Sequence, residues 1–248
     1  MKTAIKLVLI YFLMQILSGL LLSPLMFMPV SAGVVMGLTL LLGCLLMTVY
    51  LWKTGYLQND GKLYAPVSMT FLGWSLLAGA SLIVLEEWLM SNLRFLPDLM
   101  EQSFDAMQSG WVGILAITLV GPILEELMFR GAITKVLLQR YSPRTAIILS
   151  ALIFGVFHLN PVQVVGASIV GLLLAWLYWR TGSLVPGILI HIFNNSLSVY
   201  LALHFPEVDY VQDLMPTAYY VTLLLVAFAL LCYSLHVLNK ISKKYRCL

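Results

Sequence analysis

The sequence predicts an all-helical membrane protein that crosses the bilayer about eight times, and three observations carry this prediction. Of the 248 residues, 61% are hydrophobic and only 10% are charged, whereas a soluble globular domain carries about 25% charged residues. The apolar runs are about 20 residues long, which is the length of a membrane-spanning helix rather than of a barrel strand. The deficit of charge extends along the whole chain, which predicts a single integral membrane domain over residues 1–248.

The predicted spans follow the apolar runs in order. They lie near 5–23, 32–52, 67–88, 111–138, 145–158, 163–179, 184–203 and 217–238. The fourth is long and the fifth is short. The first run could alternatively be a signal peptide, because Val30-Ser31-Ala32 before Gly33 resembles a small-residue cleavage site. Gly33 and Gly37 form a GxxxG pattern in the second span, which favours close helix packing.

The distribution of charge predicts the side of the membrane on which each loop lies. If the N-terminus is cytoplasmic, every lysine and arginine except Arg94 and Arg130 lies in a cytoplasmic segment. The external loops then contain the acidic residues Asp98, Glu101, Asp105, Glu207, Asp209 and Asp213. Because cytoplasmic loops are enriched in positive charge, both termini are predicted to be cytoplasmic. The net charge of +3 thus reflects membrane topology and gives no indication of nucleic-acid binding.

Three charged residues lie deep in the fourth predicted span: Glu125, Glu126 and Arg130. An ionised side chain at the centre of a bilayer costs about 2.5–3.5 kcal/mol. Glu126 and Arg130 are four residues apart and can pair, whereas Glu125 points about 100° away. An ion pair that only fixes helix packing is the alternative, but such pairs stabilise little for the desolvation they cost. Glu86 and Glu87 repeat the dipeptide at a span end, which is typical of an interfacial pair.

Two further polar sets recur at helical spacing in the fifth and seventh spans. Phe154 and His158 are four residues apart, as are His191 and Asn195, with Asn194 beside the latter. A single intramembrane histidine usually makes a hydrogen bond between helices. Together with two carboxylates on a third helix, however, two imidazoles and an amide could activate water and stabilise an oxyanion.

These residues fall into three motifs that resemble those of a known family. EELMFR (Glu125–Arg130), FGVFH (Phe154–His158) and HIFNN (His191–Asn195) resemble the EExxxR, FxxxH and HxxxN/D motifs. These motifs characterise the CAAX protease and bacteriocin-processing family, also called CPBP or Abi proteins. The resemblance covers about residues 110–205, which form the expected catalytic core. It implies an eight-helix intramembrane endopeptidase.

The resemblance also implies a role for each motif residue. The catalytic set that it carries over is Glu125, Glu126, His158, His191 and Asn195, supported by Arg130 and Phe154. Glu125 is expected to be the general base, with His158 as its partner in activating water. His191 and Asn195 are expected to donate hydrogen bonds to the oxyanion, and the remaining residues to support this arrangement.

The sequence leaves two mechanisms open. Glu125, His158 and His191 could bind Zn²⁺, and the family has been described as metalloproteases. The chain has no HExxH motif, in which two ligands and a base share one helix face. Asn195 is also a poor zinc ligand. Hydrolysis by a glutamate-activated water, with no cofactor required, is therefore the favoured hypothesis.

Three functions are compatible with these residues. The first is an endopeptidase acting on a peptide or protein substrate, such as a prenylated C-terminus or a leader peptide. The second is a proton-coupled transporter, because buried glutamate and histidine also form proton relays. The third is a non-catalytic immunity or partner protein on the same fold. A bacterial cytoplasmic membrane is the expected location.

Overall fold

The computed structural model describes residues 1–57 and 63–245, which fold almost entirely into helices. The prediction of an all-helical membrane protein is confirmed. The described residues contain one β-bridge, between Tyr64 and Ser183, and no β-strand. The main helices are α1 (Lys2–Leu22), α2 (Ala32–Lys53), α3 (Met69–Ser91), α4 (Glu101–Gln108), α5 (Trp111–Leu138), α6 (Pro143–Phe157), α7 (Pro161–Thr181), α8 (Val185–His204) and α9 (Thr217–Ile241).

In the described part of the chain, 7 helices are long and apolar enough to cross a membrane, namely α1, α2, α3, α5, α7, α8 and α9. The fifth predicted span corresponds to α6, which has only 15 residues. At 1.5 Å per residue, α6 extends over about 22 Å and is shorter than a hydrocarbon core of about 30 Å. By length, α6 is therefore not counted among the helices that could cross a membrane.

The protein is thus a multi-pass membrane protein, and the orientation of its termini stays a prediction. That prediction depends on the sign of charge in each loop. Two of the basic residues that support it, Lys62 and Arg246, lie outside the described residues. α1 packs along α2 and contributes the buried residues Leu7 and Tyr11 to the core. The signal-peptide alternative for this segment is left open by its packing.

The sequence analysis missed α4, a short amphipathic helix between the third and fourth spans. Its acidic residues break the apolar pattern that identified the other helices. α4 packs on α2 beside the two glycines of the GxxxG pattern. A side chain at Gly33 would collide with the backbone of Ala106, and a Cβ at Gly37 would lie 3.0 Å from the Cα of Gly113. These glycines therefore bring α4 and the start of α5 against α2, as close packing at a GxxxG pattern requires.

The helix that carries the three deep charges, α5, changes its hydrogen-bonding pattern twice. It is π-helical over Ala116–Val120 and again over Leu127–Thr134. Between these segments the α-helical turn Gly121–Glu126 carries both glutamates. Pro122 lies at the start of this turn and has no backbone N–H to donate. Short π segments within helices are frequent at functional sites.

Helices α6 and α7 approach each other closely through glycine. A Cβ added to Gly155 of α6 would overlap Ser168 and the carbonyl oxygen of Val164 in α7. A Cβ added to Gly171 of α7 would lie 3.1 Å from the ring of Phe154 in α6. The absence of these side chains allows the backbone of α7 to lie against the helix that carries Phe154 and His158.

Two apolar clusters meet at the helices that carry the motifs. The first cluster joins α1, α2, α5 and α6 and includes Leu7, Met47, Phe129, Phe154 and Phe157. The second joins α3, α7, α8 and α9 and includes Phe71, Leu174, Ile190 and Leu238. A buried hydrogen bond of 2.6 Å between the hydroxyls of Thr134 and Ser150 further connects α5 with α6. The motif residues of α5, α6 and α8 thus lie at the junction of the two clusters.

Replacing Gly155 by alanine is expected to lower the free energy of unfolding by about 1–3 kcal/mol, because the new methyl group overpacks the contact with α7. Thermal unfolding in detergent measures the effect. Gly73→Ala is the matched control, since Gly73 also lies within a helix and has no atom within 4 Å of an added Cβ. That variant should be neutral or more stable by up to about 1 kcal/mol. Equal melting temperatures for the two variants would contradict this account of the packing.

Candidate active site

The three charged residues predicted to lie deep in the fourth span are buried in the middle of α5. Arg130 Nη1 donates to Glu126 Oε1 over 2.6 Å, and the two side chains are 1% and 0% exposed. The structure thus contains the ion pair that their spacing predicts. The side chain of Glu125 is 16% exposed and does not take part in this pair. The two adjacent glutamates therefore have different surroundings.

Arg130 connects the three helices α5, α6 and α7. Its Nη2 donates to the backbone carbonyl of Gly171 in α7 over 3.3 Å. Its guanidinium carbon lies 4.3 Å from the centre of the Phe154 ring in α6, which is within the range of a cation–π interaction. A guanidinium suits this position because its planar group can pair and stack at the same time.

His191 of α8 lies between the two glutamates. Its Nδ1 is 3.1 Å from Glu126 Oε1, and its Nε2 is 3.8 Å from Glu125 Oε2. Glu126 Oε1 also accepts from Arg130, so this oxygen acts as a carboxylate acceptor. Nδ1 of His191 therefore carries a hydrogen and donates it to Glu126. This leaves Nε2 directed at Glu125.

Glu125 and Glu126 supply two carboxylates to this network, whereas Arg130 supplies one guanidinium. Glu126 is paired with Arg130, which leaves Glu125 as the carboxylate that faces His191 Nε2.

His158 lies at the C-terminal end of α6, next to the Arg130–Phe154 contact. Its Nδ1 is 2.8 Å from the backbone carbonyl oxygen of Phe154. A carbonyl can only accept, so Nδ1 carries the hydrogen, and Nε2 of the neutral ring is an acceptor. The edges of the Phe154 ring meet both imidazoles, with centroid distances of 5.0 Å to His158 and 5.6 Å to His191. Phe154 thus contacts both histidines.

Glu125 and His158, which are expected to act together on water, make no direct hydrogen bond among the described residues. The hydrogen-bond partner of His158 in this part of the chain is Phe154, whereas Glu125 Oε2 lies 3.8 Å from His191 Nε2. Glu125 Oε2 is buried without a hydrogen-bond partner among the described residues.

Asn195 lies one turn after His191 on α8, and its side chain binds the backbone of α5. Its Nδ2 donates to the carbonyl oxygen of Ile117 over 3.0 Å. In an α-helix the carbonyl of Ile117 would accept from the N–H of Gly121, but the N–H of Gly121 binds the carbonyl of Ala116 instead. In a π-helix the donor to Ile117 would be Pro122, which has no N–H. Asn195 thus satisfies a carbonyl that α5 leaves free, and it has a second N–H to offer.

Gly187 is a site residue that the sequence analysis missed. It lies on α8, one turn before His191, and a Cβ added there would lie 2.8 Å from Glu126 Oε2. Glycine at this position lets the carboxylate fit between α5 and α8. Gly187 is four residues from His191, so the two share a helix face. This spacing was the sign in the sequence that Gly187 would lie at the site.

The residues proposed as zinc ligands do not form a ready ligand set. In the described part of the chain, no group of three or more His, Cys, Asp or Glu side chains is close enough to hold a metal ion. Glu125 and His191 are neighbours, and no hydrogen bond or ion pair joins His158 to either of them among the described residues.

The helices and this buried charged network define a polytopic membrane protein with an intramembrane polar site. Residues 107–197, which include all three motifs, match the family described as "Type II CAAX prenyl endopeptidase Rce1-like". The match confirms the resemblance to the CAAX protease and bacteriocin-processing family.

One curated relative comes from Bacillus subtilis (strain 168) and bears the name "Putative membrane peptidase YdiL". It is 30% identical over 109 residues, which are 44% of this chain and 44% of the relative. The chain thus aligns with less than half of the length of this relative. No solved structure matches the chain significantly.

The Arg130→Met variant is expected to lose about 3–5 kcal/mol of unfolding free energy, because it leaves the buried Glu126 carboxylate unpaired. Adding Glu126→Gln removes that charge, so the double variant should regain most of the loss. Denaturant unfolding of the three proteins in one detergent measures both changes. If the double variant is no more stable than Arg130→Met, charge imbalance is not the cause of the loss.

Proposed function

We propose that this chain is an intramembrane endopeptidase that hydrolyses a peptide bond with a water activated by Glu125 and His158. The observation that carries the proposal is the position of His191, whose Nδ1 lies 3.1 Å from Glu126 Oε1 and whose Nε2 lies 3.8 Å from Glu125 Oε2. This arrangement brings a carboxylate that can act as a base next to an imidazole that can donate a hydrogen bond. Amide hydrolysis needs both kinds of group. The match of residues 107–197 to an endopeptidase family supports the same reaction.

Glu125 is the proposed base because it differs from its neighbour in two respects. Glu126 is fully buried, and its Oε1 is bound to both Arg130 and His191. Glu125 is 16% exposed and forms no ion pair with Arg130. A base needs a carboxylate that water can approach and that no arginine holds, and of the two glutamates Glu125 fits this better.

His158 is the proposed second contact of the reacting water. Because its Nδ1 donates to Phe154, its Nε2 can accept a hydrogen bond from water. Two acceptors, Glu125 and His158, would orient a lone pair of the water toward the substrate carbonyl carbon. Arg130 and Phe154 hold the histidines in place through the contacts described above.

His191 and Asn195 are the proposed donors to the oxyanion. As the water attacks, Glu125 takes one of its protons, and the carbonyl oxygen of the substrate becomes negative. His191 Nε2–H and the second N–H of Asn195 can stabilise that charge. The tetrahedral intermediate then collapses, the C–N bond breaks, and Glu125 returns the proton to the departing amine.

The proposed substrate is a peptide or protein that reaches the site from the bilayer or the cytoplasm. A prenylated C-terminal peptide follows the description of the matched family, and a leader peptide is the alternative. The bacterial cytoplasmic membrane, with both termini cytoplasmic, is the proposed location. It rests on the loop charges and on the Bacillus relative.

Glu125→Gln is expected to lower kcat by at least about a hundredfold, because it removes the base and keeps the shape of the side chain. Cleavage of a peptide panel by purified protein in liposomes measures the change. The matched control is Glu86→Gln, which alters a partly buried glutamate near the end of α3, outside the site, and should keep the wild-type rate. An unchanged rate in Glu125→Gln, with the protein folded, would refute the proposed mechanism.

Wild-type cleavage is expected to withstand a strong chelator, since the proposed reaction uses only side chains and water. The rate is measured before and after prolonged exposure to the chelator, with a known zinc peptidase as the positive control. Loss of activity that added zinc restores would instead favour the metal mechanism, with Glu125, His158 and His191 as the ligands.

The close approach of Glu125 and His191 also suits a proton-coupled transporter, which is the second candidate function. The same liposomes distinguish the two. Proton or solute flux that Glu125→Gln abolishes, without any cleavage of the peptide panel, would favour transport. A cellular phenotype that persists in Glu125→Gln would favour a non-catalytic partner.

A further inference from the structure

Asn160, two residues after His158, connects the turn between α6 and α7 with the segment that precedes α4. It is fully buried. Its Nδ2 donates to Asp98 Oδ1 over 2.9 Å, and its Oδ1 accepts from the backbone N–H of Leu99 over 3.0 Å. Asp98 Oδ1 also accepts from the backbone N–H of Met100 over 2.9 Å. We call these three hydrogen bonds the Asp98–Asn160 clamp.

The clamp holds a turn whose backbone needs support. Leu159, between His158 and Asn160, has a φ of 57° and is the one non-glycine residue with positive φ in the described part of the chain. This left-handed conformation is unfavourable for a residue with a Cβ, and it persists only where its surroundings impose it. The Leu159 side chain is 65% exposed, so its own packing provides little of that support. The hydrogen bonds of the next residue provide it.

The segment between α3 and α4, which contains Asp98, makes further contacts of its own. Arg94 pairs with Asp213 over 3.3 Å, and its guanidinium carbon lies 4.6 Å from the centre of the Tyr210 ring. These contacts tie the segment between α3 and α4 to the loop before α9. Asp98 therefore belongs to a segment that contacts both the turn after α6 and the loop before α9.

We propose that Asp98 and Asn160 are positioning residues for His158. The inference rests on the proposed function, because the direction of His158 matters only if its Nε2 faces the reacting water. His158 terminates α6, so the helix fixes its backbone from one side only. The clamp fixes the other side two residues later. A displacement of about 1 Å at a catalytic group can lower a rate about a hundredfold.

The test uses the whole chain in liposomes and three variants, each of which replaces one aspartate. Asp98→Ala removes the acceptor and should lower kcat about tenfold or more, with KM within about twofold. Asp98→Asn keeps an acceptor oxygen at the same place and should retain most of the activity. Asp105→Ala, an exposed acidic residue on α4, should match the wild type.

A double-mutant cycle separates positioning from a general loss of structure. In a His158→Ala background, Asp98→Ala should change the residual rate less than about twofold, because the group that it positions is gone. If Asp98→Ala lowers the rate by the same factor with and without His158, the proposal is overturned. A wild-type rate in Asp98→Ala would overturn it too.

Hydrogen–deuterium exchange of a peptide covering residues 154–160 provides a measurement that does not depend on activity. Exchange should increase in Asp98→Ala and remain at the wild-type level in Asp98→Asn. Unchanged exchange in Asp98→Ala would overturn the clamp itself. If exchange increases as expected but the wild type cleaves no peptide, the proposed function fails, and the positioning role for hydrolysis fails with it.

Discussion

The pairing of Glu126 with Arg130 in the protein interior is the interaction on which the arrangement of the site depends. A buried charge without a partner is costly, and Arg130 neutralises Glu126. The same Glu126 oxygen lies 3.1 Å from His191 Nδ1, so that His191 Nε2 faces Glu125. The ion pair that the interior requires is thus also the contact that brings a second carboxylate and an imidazole together.

Glycine allows the neighbouring helices to reach this ion pair. Gly187 admits the Glu126 carboxylate beside α8, and Gly171 brings its own carbonyl within reach of Arg130. Gly155 lets α6 lie against α7, and α6 carries the Phe154 ring that contacts both histidines. The polar network and the small residues are therefore parts of one packing arrangement.

The sequence alone predicts those features that depend on spacing within one helix. Apolar runs predicted the helices, and the interval of four residues predicted the pairing of Glu126 with Arg130. The position of His191 between both glutamates depends on how α8 is rotated against α5, which local spacing does not specify. The contact of Asn195 with Ile117 depends on a π-helical turn. Pro122 was the visible sign of that turn, but proline inside a span has several outcomes.

The part of the chain that matches the family model is not sufficient to explain how the site is held. His158 ends α6, and the buried side chain of Asn160 in the turn after it needs polar partners. Asn160 finds them in Asp98 and Leu99, which precede the matched residues 107–197. α1 likewise places Tyr11 against Phe157, with ring centroids 4.7 Å apart, next to His158. The flanking segments therefore contribute to the geometry of the site.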